Sequence, residues 1–225
     1  MLTSLQEKVA SLFFSLPESA GFALAGGGAL VVRGDVSRTT HDLDFFSSQP
    51  EDVPSAAQAL REALSRVGLA FETVRSAASF VRLVVTQPDG EQVLVDISRD
   101  FRLREPDSSR LGPVLSADDL AADKTLALFG RAEARDFVDV FFLARKLGVD
   151  RLLELAKEKD SGFDLYYLAG MLGQLERHRR EEFAVDDETF SQLVAFVHVL
   201  RADLLTRVIE GAGPGLSTGP TTGAR

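Results

Sequence analysis

Two aspartates separated by one leucine, Asp42 and Asp44, are the side chains of this sequence best placed for chemistry. Side chains alternate along a strand, so the two carboxylates point to one face while Leu43 and Phe45 point to the other. Carboxylates held side by side repel each other, and a bound cation relieves that repulsion. The upstream glycines 26–28 let a backbone approach a phosphate closely. The combination indicates a nucleoside triphosphate and magnesium as ligands.

A further carboxylate, Asp96, lies in an otherwise apolar segment that we predict to be a strand over 92–98. A carboxylate in so apolar a strand needs a partner or a metal ion. The alternative is that Asp96 caps the turn toward Ser98 and Arg99.

Basic residues recur at helical spacing in the segment 117–147, which carries helical periodicity with a break near Gly130. If the helix stays continuous, Lys124, Arg131 and Arg135 form one stripe. Such a stripe could clamp a triphosphate and stabilise charge in the transition state. The alternative is an ordinary solvated helix face.

Asp136 and Asp139 stand three residues apart among apolar residues, so they can share a helix face and need basic partners. Which of the two belongs to the site and which to the scaffold stays open at this point. His178 belongs to the mixed-charge segment 176–182, which we interpret as a solvated turn rather than a site.

The remaining pattern predicts a mixed α/β chain. Helices are predicted over 3–16, 28–33, 54–67, 150–159, 163–177 and 187–209, and strands over 22–25, 42–46, 70–74 and 79–86.

Two ordered motifs resemble a known family. Gly-Gly-x-Ala-Leu beginning at Gly26 is followed by Arg-x-Thr-x-Asp-x-Asp beginning at Arg38, and later by Lys124 and Arg-Asp-x-x-Asp beginning at Arg135. Their order is similar to that of the AbiEii-type nucleotidyltransferases, the toxin halves of toxin–antitoxin pairs, which include the MenT toxins. The resemblance covers about residues 20–145.

The resemblance implies an α+β fold, in which a polymerase-β-like nucleotidyltransferase core with a mixed sheet is followed by a C-terminal helical bundle. We expect a core domain over 1–113 and a helical domain over 114–210 that completes the active site. The Gly-, Pro- and Thr-rich segment 211–225 is expected to be a disordered tail.

The motifs and the resemblance together define an expected site. The residues expected to take part in catalysis are Asp42, Asp44, Asp96, Lys124 and Asp136. Those expected to bind the nucleotide are Gly26, Gly27, Gly28, Arg38, Thr39, Thr40, Arg131 and Arg135. Those expected to bind magnesium, or manganese as the alternative ion, are Asp42, Asp44 and Asp96.

The site departs from the superfamily pattern at one position. The usual Gly-Ser is Gly26-Gly27 here, so no serine hydroxyl is available to contact phosphate. Thr39 or Thr40 could supply a hydroxyl instead. By the resemblance, Asp96 would be the third metal ligand or the base for the acceptor hydroxyl.

The expected function is transfer of a nucleoside monophosphate from an NTP to an acceptor hydroxyl. The resemblance points to the 3′ end of tRNA as acceptor and to a cognate antitoxin as partner. One alternative is transfer to a small cationic molecule, as in antibiotic nucleotidyltransferases. Another is a nucleotide-binding module without catalysis, which the missing serine favours. The donor base, the mode of antitoxin action and the oligomeric state stay open.

Composition limits the other functions. The chain has 225 residues, a net charge of −9, 45% hydrophobic residues and no cysteine. It can form a substantial core but no disulfide or thiolate metal site. The acidity argues against non-specific coating of nucleic acid. Because we find neither an apolar run of about 18 residues nor a signal-like start, we expect a cytoplasmic protein without a membrane partner.

Overall fold

The computed structural model describes residues 1–36, 38–49 and 52–211. Within these ranges the strands are β1 Phe22–Ala25, β2 Asp42–Ser47, β3 Ala70–Ala77, β4 Phe80–Thr86, β5 Gln92–Arg99, β6 Asp107–Ser109 and β7 Gly112–Val114. The α-helices there are α1 Ser4–Phe14, α2 Gly26–Arg33, α3 Asp52–Arg66, α4 Ala117–Gly130, α5 Ala134–Leu147, α6 Val149–Lys159, α7 Leu165–Leu172 and α8 Asp187–Gly211.

The strands form one mixed sheet with the order β3-β4-β5-β2-β1-β7-β6. β2 is antiparallel to β1 and parallel to β5, which places it near the middle of the sheet. Asp44 of β2 lies directly opposite Asp96 of β5. The mixed sheet followed by helices confirms the predicted fold class.

The two faces of β2 differ as the alternation predicts. Leu43 and Phe45 are fully buried, and the Phe13 ring of α1 stacks on Phe45 with 4.0 Å between centroids. Asp42 and Asp44, on the other face, are only partly buried. Helices α1 and α3 therefore cover the apolar face, and the opposite face carries the polar side chains.

The break near Gly130 separates α4 from α5. Ala132 has φ 51°, a conformation that terminates the first helix. Glu133 then begins α5 with a capping box in which the Asp136 side chain accepts from the Glu133 backbone. Lys124 and Arg135 therefore lie on different helices, and the continuous basic stripe does not form.

Other differences are local. The pair β6–β7 was not predicted, because strands of three residues are too short to show alternation. The predicted helix 163–177 is split into α7 and a 3₁₀ turn that begins at Gly173. Helix α2 begins at Gly26 instead of residue 28.

All the strands of the described residues end by Val114, and the segment after it is helical. The division into domains at 113/114 stays a prediction. Residues 212–225 of the predicted tail lie outside the described residues. In the described part of the chain, no helix has the length and apolar character needed to cross a membrane.

Candidate active site

A cleft of about 570 Å³ lies between the polar face of the sheet and helices α4 to α6. The predicted site residues that line it are Gly26, Gly27, Arg38, Asp42, Asp44, Asp96, Lys124, Arg131 and Arg135. Four other predicted residues, Gly28, Thr39, Thr40 and Asp136, are not part of its lining. The structure thus brings most of the predicted residues, from both motifs, into one place.

The two aspartates of β2 have different electrostatic surroundings. Asp42 accepts a hydrogen bond from the Thr40 hydroxyl at 2.8 Å and pairs with Arg135 at 3.1 Å. Burial opposes ionisation of Asp42, but the Thr40 hydrogen bond and the charges of Arg135 and Lys124 hold its pKa below the usual value. Burial and the neighbouring Asp42 charge instead raise the pKa of Asp44 to about 7.

The Asp44 carboxylate is the group of the site that is best suited to bind a cation. Asp44 is partly buried, yet among the described residues no side chain donates a hydrogen bond to it or forms an ion pair with it. Two adjacent carboxylates, one of them unpaired, provide the oxygen ligands that magnesium takes together with phosphates and water. Asp42 and Asp44 therefore fit a divalent cation.

The glycines create the space around these aspartates. Gly26 has φ 59°, and a Cβ there would lie 1.8 Å from Oδ2 of Asp44. A Cβ on Gly27 would lie 2.7 Å from the Thr40 hydroxyl oxygen and 3.1 Å from Arg38. Thr40 thus fills the place that a side chain at position 27 would need. This explains physically why position 27 is occupied by glycine.

Thr40 itself is held from a third element. The Gln6 side-chain amide of α1 donates to the Thr40 carbonyl at 2.8 Å, and both residues are buried. Thr39 is exposed, so of the two candidate hydroxyls only that of Thr40 contacts the site. Gln6 was not predicted from the sequence, although its polar side chain on the buried face of α1 was the available signal.

Asp139 holds two cationic side chains of the cleft. It accepts from Nε and Nη2 of Arg38, each at 2.8 Å, and lies 3.0 Å from Nζ of Lys124. Burial opposes its ionisation, but Arg38 and Lys124 keep its pKa below the usual value. Asp139 is fully buried and does not line the cleft, so it positions Arg38 and Lys124 and does not itself meet a substrate.

Asp136 has a different partner. Both of its oxygens accept from Arg131, at 2.9 and 3.0 Å, and one also accepts from the Glu133 backbone at 3.2 Å. The structure therefore shows a fully buried Asp136 that caps α5 and orients Arg131. Its catalytic role stays a prediction, and the residue that contacts Lys124 is Asp139.

The Asp96 carboxylate is bound by an arginine that was not predicted from the sequence. Arg82 of β4 donates to its two oxygens at 2.7 and 2.6 Å, and Asp96 does not cap the turn toward Ser98. In residues 1–36, 38–49 and 52–211, no group of three or more His, Cys, Asp or Glu is arranged to hold a metal ion. The role of Asp96 as third ligand stays a prediction that requires Arg82 to release it. The signal for Arg82 was its alternation with valine and leucine in a strand.

The cleft also contains a second polar group. Lys159 of α6, whose side chain is 5% exposed, donates to Asp100 at 2.6 Å and also pairs with Asp123 of α4. Burial raises the pKa of Asp123 to about 7 despite Lys159. Phe101, 62% exposed, lies beside them. The sequence analysis did not identify this group, because its members come from three separated segments.

The segment 176–182 is mostly exposed, as predicted, but the His178 side chain within it is partly buried and makes specific contacts. One ring nitrogen contacts the Ala132 carbonyl at 2.8 Å and the other contacts Glu182 at 2.9 Å. The Phe137 and Phe183 rings also pack on it. It therefore holds the turn between α4 and α5, whose flanks carry the cleft residues Arg131 and Arg135.

Comparisons with known proteins show the family and the fold of the chain. The family described as Nucleotidyl transferase AbiEii toxin, Type IV TA system, matches residues 12–203. An uncharacterized protein of Aquifex aeolicus (strain VF5) is 32% identical over 168 residues, which cover 72% of this chain and 77% of that protein.

Two solved structures share the fold. JHP933 from Helicobacter pylori has a TM-score of 0.60 and 18% identity, over 94% of this chain and 98% of its own. MenT4, a nucleotidyltransferase toxin from Mycobacterium tuberculosis H37Rv, has a TM-score of 0.55 and 17% identity, over 89% of this chain and 83% of its own. The family match spans both motifs and the cleft they form, and the chain belongs to the AbiEii nucleotidyltransferase toxin family.

Proposed function

We propose that this cleft transfers a nucleoside monophosphate from an NTP to an acceptor hydroxyl in a magnesium-dependent reaction. The observation that supports the proposal is that acidic and basic side chains from the two motifs line the same cleft. The carboxylates of Asp42 and Asp44 face basic side chains from α4, α5 and their connecting turn. An anionic triphosphate bridged by a cation fits between such groups.

The reaction makes and breaks one bond to phosphorus. The acceptor oxygen bonds to the α-phosphorus of the NTP, and the bond from that phosphorus to the pyrophosphate oxygen breaks. The hydroxyl proton passes to a carboxylate or to water. When bound between Asp42 and Asp44, magnesium (or manganese as the alternative) would neutralise phosphate charge.

The residues of the chain have separable roles in this proposal. Gly26 and Gly27, at the N-terminus of α2, let the phosphates approach the backbone closely. Lys124 and Arg38, aligned by the buried Asp139, bind phosphate oxygens. Asp96 can take the acceptor proton or bind the ion once Arg82 releases it.

The 3′ end of tRNA is the acceptor that we favour, because modification at that end would be toxic and the family is one of toxins. Blocking that end would stop aminoacylation and arrest growth. The same membership supports a cognate antitoxin as partner. Because NTPs and tRNA meet there, we place the activity in the cytoplasm.

A small cationic acceptor is the second candidate. Three carboxylates, those of Asp100, Asp123 and Asp160, line the cleft together with Lys159, which pairs with the first two. The excess of negative charge in this group and the net charge of −9 favour a cation. An aminoglycoside-like molecule is the chemical class that this group would accept.

A labelling experiment separates the two acceptors. Purified protein is incubated with magnesium, each α-labelled NTP, and either total tRNA or tRNA whose 3′ diol has been oxidised by periodate. We expect label in the intact tRNA alone, from one or two of the four donors. Equal label in oxidised tRNA would contradict transfer to the 3′ end. Label only in an added cationic small molecule would favour the second candidate.

A further inference from the structure

The face of the sheet that carries Asp44 and Asp96 continues beyond the cleft across β5, β4 and β3. On this face Phe80, Arg82 and Val84 of β4 are partly exposed, and most of β3 is exposed. Leu94 of β5, next to them, is 37% exposed. A sheet face of this kind, running from a catalytic cleft to an edge strand, is an accessible surface that the proposed reaction does not yet use.

Four charged residues form one straight row across this face. Arg75 lies opposite Arg82, Arg82 opposite Asp96, and Asp96 opposite Asp44. The row passes from the edge strand β3 through β4 and β5 to β2. With about 4.8 Å between neighbouring strands, Arg75 stands roughly 14 Å from Asp44, which is the reach of two to three nucleotides.

The two arginines lie side by side on neighbouring strands, an arrangement that like charges normally disfavour. Arg82 is neutralised by Asp96. In the described part of the chain, no carboxylate lies within ion-pair distance of Arg75, and it has no side-chain hydrogen bond there. Folding therefore leaves one guanidinium of this pair without a counter-charge.

An aromatic ring holds both arginines on the sheet. The guanidinium carbons of Arg75 and Arg82 lie 5.2 and 5.5 Å from the centroid of the Phe80 ring. This contact fixes the planar guanidinium groups but uses none of their N–H donors. A flat ring next to arginine planes is a surface on which bases stack and phosphates bind.

We propose that Arg75, Phe80 and Arg82 form a platform that binds the single-stranded 3′ segment of a nucleic-acid acceptor and directs its terminal hydroxyl along the row toward Asp96 and Asp44. This platform rests on the proposed function and specifies its acceptor side. The segment is recognised through its phosphates and base faces, so the platform has little sequence preference.

The test uses the full chain and a 5′-labelled single-stranded RNA of about 12 nucleotides, a length that covers one such surface. Binding is measured by fluorescence anisotropy over a range of salt concentrations for the wild type, Arg75→Ala and Arg75→Lys. Arg66→Ala removes an exposed arginine at the end of α3, on the opposite side of the sheet, and is the matched charge control. Magnesium–NTP binding is measured in parallel by calorimetry.

We expect Arg75→Ala to weaken RNA binding about 3- to 10-fold and to lower the salt slope by about 0.7. Arg75→Lys should keep most of the salt slope, since it keeps the charge. NTP binding should be unchanged in both variants, and Arg66→Ala should match the wild type.

Two results would overturn the platform. If Arg75→Ala and Arg66→Ala weaken RNA binding equally, the effect is due to the net charge of the protein and not to a platform. Absence of RNA binding by the wild type would exclude a nucleic-acid occupant of this face. If the protein still binds magnesium–NTP when either result is found, the proposed function of the cleft stands and only the platform is excluded. If the wild type does not bind magnesium–NTP at all, the proposed function itself is contradicted.

Discussion

Asp139 and Arg38, which are 101 residues apart in the sequence, form a buried two-pronged ion pair with both N–O distances at 2.8 Å. The pair connects the segment before β2 to helix α5, and Lys124 of α4 joins it at 3.0 Å. One carboxylate from the helical half of the chain therefore aligns two cationic side chains that face the aspartates of the sheet.

Asp139→Asn should damage both stability and activity. It leaves Arg38 and Lys124 without their shared counter-charge, and breaking a buried pair in this way costs about 3–5 kcal/mol. Thermal unfolding and transfer activity would be compared with those of Asp150→Asn, which loses a surface pair with Arg207. A variant that melts and reacts like the wild type would contradict the alignment role.

Gly26→Ala should abolish transfer. Its Cβ would lie 1.8 Å from the Asp44 carboxylate, and φ is 59°, so the side chain or the backbone must move. Gly28→Ala is the matched control, because its Cβ would meet ordinary contacts of 3.5 Å or more. Transfer rates are measured on both variants after their fold has been confirmed. Equal activity of the two variants would contradict the requirement for glycine at position 26.

Asp44→Asn should stabilise the metal-free chain at alkaline pH while removing activity. The pKa of Asp44 is raised to about 7, so its ionisation lowers the stability of the folded state above pH 7. Wild-type stability recovers as the pH falls from 7 toward 4, where the folded chain binds the proton before the unfolded chain does. We expect the variant to melt several degrees higher in chelator at pH 8, with a smaller difference at pH 5.

Magnesium should make the wild type melt at a higher temperature than Asp44→Asn at pH 8. An ion that binds the folded state raises the melting temperature by mass action, and only the wild type keeps both carboxylates. If the variant melts lower than the wild type at pH 8 in chelator, the unfavourable charge on Asp44 is not present. If magnesium stabilises both proteins equally, the ion binds elsewhere.

His178→Gln should lower stability more at pH 6 than at pH 8.5. Burial opposes protonation of His178, but its contacts with Glu182 and the Ala132 carbonyl raise its pKa above the usual value. The stabilisation is complete below the unfolded pKa of about 6.5 and is lost as the pH rises through the folded pKa. Melting temperatures are compared with those of His198→Gln, which changes an exposed histidine. An effect that does not depend on pH would contradict the charged bridge.

The sequence predicted those parts of the site that local pattern controls. Alternation placed Asp42 and Asp44 on one face, and both lie there. The order of the two motifs predicted that Lys124 would meet them, and it lines the same cleft. Patterns of this kind depend on residues close together in the chain, so a single sequence carries them.

The rest depended on pairing between distant segments. Nothing local distinguishes Asp139 from Asp136, and their roles follow from which arginine each one reaches. Arg82 was missed because its contact with Asp96 requires the register of β4 and β5. The contacts of His178 were not predicted, because a polar neighbourhood in the sequence does not show the Ala132 carbonyl that lies 46 residues away.

Nucleotidyl transfer by the Asp42–Asp44 cleft is tested most directly by the fate of two labels. The protein, magnesium and acceptor tRNA are incubated with one NTP labelled at either the α- or the γ-phosphate, beside a folded Asp42→Ala control. The account predicts α-label joined covalently to the acceptor, γ-label released as pyrophosphate, and neither with the variant. Label from the γ-phosphate on the acceptor, or equal transfer by Asp42→Ala, would contradict it.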